Sequence, residues 1–273
     1  MSICAYCDNE CSPSREHIIP DFLYRYQKGD GGHMGWNESA QKIVSGEAKI
    51  KDVCKPCNNG PLSDLDSYGK RFLTNAGVFI ENFLLERRTV QYEYSSLLRW
   101  LLKISFNSAR ASRNKPKVLE RYKAFILNGE DEARVLNEVF LFAGLVKPAR
   151  FSNKEVEDYS DQLPISEDGL SNPFFVRLSW VPESSKSYII RSVVIGGLVF
   201  HLMVFERELK IGFRRVHSRR WLKANKGMKL MSSSKSVITL NQTNRSFLDY
   251  INMQLMRENH FEAANKLLTR GLK

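Results

Sequence analysis

The sequence predicts an α+β chain in two parts: a small metal-braced module over residues 1–90, then a basic α+β domain over residues 91–273 containing an antiparallel β-meander. Three observations predict this. Four of the five cysteines fall in two C-x-x-C units, Cys4-Ala-Tyr-Cys7 and Cys54-Lys-Pro-Cys57, around a loop-rich stretch. Residues 95–111 (SSLLRWLLKISFNSARA) form a strongly apolar helical run with few breakers. Between residues 173 and 217, four β-rich runs (FFVRLSWV, SYIIRSVVI, LVFHLMVF and LKIGFRRV) alternate with turn signals such as Pro182-Glu183-Ser184-Ser185 and Gly196-Gly197.

The elements follow in order. Residues 1–15 read as a tight knuckle-like turn around the first cysteine pair. Ile18 to Leu23 leaves an extended stretch, with Pro20-Asp21 favouring a turn or helix start. Residues 28–39, with Gly29, Gly31, Gly32 and Gly35, read as a surface loop, and 41–53 as a hairpin around Ser45-Gly46. A helix is expected soon after Cys57, since Leu62, Leu65, Tyr68, Phe72 and Leu73 fall at helical spacing. Residues 119–146 fit helix or strand in parts. The acidic stretch 152–172 reads as a surface loop, and 244–271 as an amphipathic helix.

Composition narrows the class. The chain is long enough to bury a core without disulfides, and 42% hydrophobic with 26% charged residues is ordinary for a globular protein. No apolar run is long enough to span a bilayer, and the start MSICAYC lacks the parts of a signal peptide, so a cytoplasmic location is expected. Residues 1–90 carry 11 Lys/Arg and 12 Asp/Glu, whereas residues 91–273 carry 30 and 18. From Arg207 to Lys235 there are ten basic residues and one acid, Glu208. A polyanion is the natural partner of such a segment, because each neutralised phosphate releases condensed counterions. A solvated basic face with no dedicated ligand is the competing reading. Arg214, Arg215, Arg219, Arg220 and Lys223 are the candidate nucleic-acid-binding residues. His217 stands among them to help hold phosphate, and Trp221 to stack a base. His201, in an apolar run, reads as packing, while His33 and His260 read as surface residues.

In a cytoplasmic chain, paired C-x-x-C units point to metal before disulfides. Cys4, Cys7, Cys54 and Cys57 supply the four thiolates that a structural zinc ion prefers, and Cys11 reads as a spare thiol. The 46 residues between the pairs exceed the spacing of an ordinary zinc ribbon, so something is inserted in the clamp. The insert contains Arg15-Glu16-His17-Ile18-Ile19-Pro20, and the second pair runs directly into Asn58-Asn59-Gly60.

Glu-His-Ile-Ile-Pro between two C-x-x-C pairs, followed by Cys-Asn, resembles the zinc-braced branch of the HNH nuclease family. CKPCNNGPLSDLD at 54–66 is similar to a prokaryotic and phage subgroup in which the second pair continues as Cys-Asn-x-Gly-Trp-Met-Ser-x-Leu-Glu. The resemblance covers residues 4–66. Arg99-Trp100-Leu101-Leu102-Lys103 is similar to a Trp-x-x-Lys helix that such proteins carry downstream. The resemblance implies a ββα-metal module in which His17 is the general base that takes a proton from the attacking water. It implies a catalytic Mg²⁺ or Mn²⁺ held by Glu16 and Asn58. A regular strand sends neighbouring side chains to opposite faces, so Glu16 and His17 are expected at a strand end or bend. Three departures stand out. Glu16 replaces the commoner Asp, Lys49 takes the place of the family's middle Asn, and Pro61-Leu62 and Asp66 replace Trp-Met and Glu. Asp66 reads as an outer-shell partner of the site or as a capping carboxylate.

The leading expectation is therefore a metal-dependent DNA endonuclease. The alternative is a zinc-stabilised nucleic-acid-binding protein with a degenerate nuclease site. A third reading makes the second domain a docking or sensing unit, with the nuclease as effector in phage defence or a mobile element.

Overall fold

The computed structural model of the protein describes residues 2–27, 34–37, 42–45, 47–161, 163–181, 187–206 and 209–250. The fold is mixed α+β, with strands paired antiparallel except for one parallel pairing. Among the described residues there are two compact units. One comprises the residues up to Ser67 together with Arg99–Glu130, the other Tyr68–Leu98 with Asp131–Tyr250.

In the first unit, β1 (Ser2–Ile3) pairs with β2 (Glu10–Cys11), and β3 (Pro13–His17) leads to α1 (Asp21–Gln27). β4 (Met34–Asn37) pairs with β5 (Lys42–Ser45), while β6 (Lys49–Cys54) pairs back with β3. A short turn α2 (Lys55–Cys57) continues through a wider turn at Asn58–Leu62 into α3 (Ser63–Ala76). After β7 (Arg87–Gln91) comes α4 (Tyr94–Ser112), whose last two-thirds belong to this unit. Trp100, Leu101, Leu102, Lys103, Ile104, Ser105, Phe106 and Asn107 are all buried, so this part of α4 is enclosed on every side. Phe106 meets the Tyr6 ring edge-on at 5.4 Å, and Tyr6 Oη donates to Asn107 Oδ1 at 2.6 Å, which ties the first cysteine turn to the helix. α5 (Pro116–Glu120) and α6 (Lys123–Asn128) complete the unit. The Arg99 guanidinium donates to the carbonyls of Ile126 and Leu127, closing the C-terminal end of α6.

The second unit is built on one sheet. α7 (Glu132–Glu138) runs into β8 (Val139–Lys147), and β9 (Ala149–Arg150) pairs with β10 (Leu170–Ser171) in a separate two-stranded sheet, with α8 (Asn153–Tyr159) between them in the chain. Then come β11 (Val176–Val181), β12 (Tyr188–Ile195), β13 (Leu198–Phe205), α9 (Ile211–Ala224), β14 (Lys229–Leu230) and β15 (Val237–Ser246). The strand order is β11-β12-β13-β8-β15-β7, with β14 also on β8 and the β15–β8 pairing parallel. Every residue of β12 and β13 is buried, because both faces of the sheet are covered. Phe72 of α3 meets Phe200 on one face, and Trp221 of α9 meets His201 on the other. The β12–β13 turn is Gly196-Gly197, with Gly196 at φ +54° as a tight hairpin requires.

Several elements differ from expectation. LKIGFRRV is no fourth meander strand: from Ile211 it is the start of α9, which docks through Ser218 and Trp221 at helical spacing. Residues 41–53 do not form one hairpin, since β5 pairs with β4 and β6 with β3. The acidic stretch after residue 152 holds helix α8, started by a capping box between Ser152 and Glu155. The 119–146 ambiguity resolves as short helices followed by β8. The start of the expected last helix is strand to Ser246, then a single turn at Phe247–Asp249. Its remainder, with His260, and also His33 and Arg207, lie outside the described residues. Among the described residues, no helix is long and apolar enough to cross a membrane.

Candidate metal centre and the site around His17

Cys4 and Cys7 lie in the turn between β1 and β2, while Cys54 ends β6 and Cys57 ends α2. The four sulfurs lie within 4.8 Å of one another, and Cys7 Sγ is 3.8 Å from Cys54 Sγ. Tetrahedral zinc with Zn–S near 2.3 Å sets its sulfurs about 3.8 Å apart, so the cluster can hold a zinc ion. The backbone N–H of Cys54 donates to Cys4 Sγ at 3.3 Å, and that of Cys57 to Cys54 Sγ at 3.4 Å. Burial works against ionisation of Cys4, but the backbone N–H groups of Cys54, Cys7 and Tyr6 outweigh it and bring the thiol down to about 7. Burial and the neighbouring sulfurs push the Cys57 thiol up. Four crowded thiols favour the thiolate state together only when a cation joins them. Cys11 is not part of the cluster.

β3 and β6 run antiparallel with a register shift at Ser14/Arg15, placing Glu16 opposite Ile50 and His17 opposite Lys49. Asn58 follows the last cysteine, and its amide nitrogen donates to Ser14 Oγ at 2.9 Å and to the Arg15 carbonyl at 3.0 Å. The carbonyl partner fixes which way the amide faces. Two antiparallel strands and a following helical turn are thereby pinned together at the bend of β3.

The neighbours Glu16 and His17 point to different surroundings, as strand alternation dictates. Glu16 is buried, and its Oε1 accepts from Lys103 Nζ at 2.8 Å and from Asn107 Nδ2 at 3.2 Å. Lys103, itself 1% exposed, also bonds Asp66 Oδ2 at 2.6 Å and the Leu62 carbonyl at 3.2 Å. Trp100 Nε1 donates to Asp66 Oδ1 at 3.2 Å. The Trp-x-x-Lys run of α4 thus closes an internal Glu16–Lys103–Asp66 network. Asp66 is a partner of Lys103, and through it of Glu16.

His17, the last residue of β3, is 24% exposed. Its Nε2 lies 3.1 Å from Glu47 Oε2 and 3.9 Å from Asp21 Oδ1, and its ring tilts against Tyr24. The ligand atoms of His17, Asp21 and Glu47 lie within 4.8 Å of one another. Lys49 Nζ pairs with Glu47 Oε2 at 2.8 Å, and Arg25 pairs with Asp21. Lys49 therefore holds the carboxylate that holds His17.

Sequence reasoning missed Glu47, Asp21, Lys103 and Asn107 as partners of this site. Lys103 and Asn107 carried a signal, being polar residues four apart, on one helix face, within an apolar stretch of α4. Glu47 carried none, because only the β3–β6 register brings it to His17, whereas Asp21 follows His17 by four residues and is a local neighbour.

In the second unit, Arg215, Arg219, Arg220 and Lys223 are exposed on α9, while Arg214 is half-buried. Trp221 is buried with its ring 5.5 Å from that of His201, so it is not placed to stack a base. His217 lies against Tyr188 and Phe205. His201 is fully buried, as packing requires, and burial lowers it to about 3. No family model, curated protein or solved structure matches the chain.

Proposed function

We propose that the first unit is an HNH-type endonuclease that hydrolyses DNA phosphodiester bonds at the end of β3, with His17 at its centre. One observation carries the reading. A part-exposed imidazole set between two carboxylates ends a strand that is pinned by Asn58, in a unit that also holds a cysteine cluster fit for zinc. Two roles suit the imidazole. The family resemblance implies a general base, and Glu47 beside Nε2 suits that role by taking the Nε2 hydrogen, which leaves the lone pair on Nδ1 to accept a proton from water. In the other, Nε2 is a metal ligand.

Glu16 and Asn58 do not fit the catalytic cation. Lys103 already neutralises Glu16, and a dication there would face the ammonium at close range in a buried setting. The Asn58 amide nitrogen is turned toward β3, which leaves a single amide oxygen, too little to hold a hydrated ion. The same closure of Glu16 favours one second reading, a zinc-stabilised nucleic-acid-binding protein without cleavage. In either reading the exposed cations of α9 supply unspecific affinity for phosphates.

Incubating the full chain with plasmid, with and without Mg²⁺ or Mn²⁺, separates the two. Nicking that falls about 10²-fold or more in His17→Ala, with zinc content and DNA affinity kept, is the expected result. Intact plasmid under every condition with bound DNA selects the second reading.

A further inference from the structure

We infer that His17, Asp21 and Glu47 form a divalent-cation site suited to Mn²⁺, with His17 bound through Nε2. This rests on reading the end of β3 as the reactive centre, and it states where that centre holds its cation. The three side chains come from three places in the fold: the last residue of β3, the first of α1, and the residue two before β6. Their ligand atoms already lie within 4.8 Å of one another, with Nε2 3.1 Å from Glu47 and 3.9 Å from Asp21. Ligands at about 2.2 Å from one ion sit about 3 Å apart, so small side-chain rotations close the set.

The charges agree. Two carboxylates match a dication, and both already draw cations from the surface, Arg25 onto Asp21 and Lys49 onto Glu47. Arg25 is 67% exposed and Lys49 35%, so an arriving metal ion can displace both, and their head groups then turn to water. One imidazole nitrogen with two carboxylate oxygens suits Mn²⁺ better than Mg²⁺, which prefers oxygen and keeps its waters. The four thiolates of the cysteine cluster select zinc instead, so ligand softness sorts two metals between two sites of one unit. Glu16, the acid that the resemblance assigns to the cation, is 5% exposed against Lys103, whereas Asp21 and Glu47 are 38% and 20% exposed.

The test is titration of the zinc-loaded full chain with Mn²⁺, following the electron paramagnetic resonance signal of the free ion. One Mn²⁺ held per chain is expected. Asp21→Asn and Glu47→Gln, which keep size and remove charge, should each weaken binding about tenfold or more, as should His17→Ala. Asp64→Asn, exposed on α3 and not among the three cluster residues, should leave it unchanged. If one of the two carboxylate variants fails to fold, the other gives the same reading. A free-ion signal undiminished by the protein, or equal binding in the wild type and all variants, overturns the site. Cleavage that needs His17 while no Mn²⁺ is held refutes the cation site and leaves the imidazole as proton acceptor. Mn²⁺ held by these residues with plasmid intact leaves the site standing and refutes the nuclease.

Discussion

Lys103 is a buried ammonium with two carboxylate partners, and neither carboxylate has a comparable replacement inside the unit. Lys103→Met fills similar space but leaves the Glu16 charge buried and unpaired, a change that costs about 3–5 kcal/mol. Urea unfolding should show that loss, and an unchanged midpoint would mean that Glu16 is not charged in the fold. His201 gives a prediction in pH. Burial, with Arg245 adding to it, lowers this imidazole from 6.5 to about 3, so the folded state keeps it neutral where the unfolded state takes up a proton. Its contribution to stability is complete above about pH 6.5 and is lost as pH falls toward 3, by about 1.4 kcal/mol per unit. His201→Phe should flatten the fall in stability between about pH 6 and pH 4, and equal slopes for the two proteins would contradict the assignment. At the β12–β13 turn, a Cβ on Gly197 would lie 2.2 Å from the Phe83 ring. Gly197→Ala should therefore destabilise by about 1–3 kcal/mol, read from the thermal midpoint.

At the scale of elements, α9 shows how one segment can carry packing and charge together. Ser218 and Trp221 bury its inner side, while Arg215, Arg219, Arg220 and Lys223 stand in solvent. Among the described residues no carboxylate within salt-bridge distance is paired with any of the four. Replacing all four with Gln should weaken DNA binding across sequences and flatten its salt dependence, by up to about 0.9 log unit for each phosphate no longer neutralised. Zinc content should not change. Affinity and salt slope both retained would make this face solvated surface only. Arg214 is left out of the set because its Nε is buried.

At the scale of the molecule, the two units depend on different forces. The second has a sheet with two fully buried central strands, whereas the first is built from short strands around a cysteine cluster. Metal binding in such a cluster is folding free energy. Removing zinc with a chelator should expose the amides of β3 and β6 to hydrogen exchange while β12 and β13 keep their protection. Loss of protection in both units at once would show that the cluster is not what holds the first unit alone.

The sequence alone determined the features that local pattern specifies. The apolar run at 95–111 is helix α4, three β-rich runs are β11, β12 and β13, and the two C-x-x-C pairs meet. Periodicity and ligand spacing are written in neighbouring residues, so they survive without knowledge of the fold. LKIGFRRV misled because a short apolar-basic run fits strand and helix alike until its docking partner is known, and that partner, His201, arrives from β13. The tertiary structure decided the surroundings of Glu16 and His17. Two adjacent residues of one strand face opposite ways, one into Lys103 from α4 and the other toward Glu47 and Asp21. Glu16 and His17 thus take their partners Asn107 and Glu47 from about 90 and 30 positions away, brought there by helix packing and strand register rather than by anything in the motif itself.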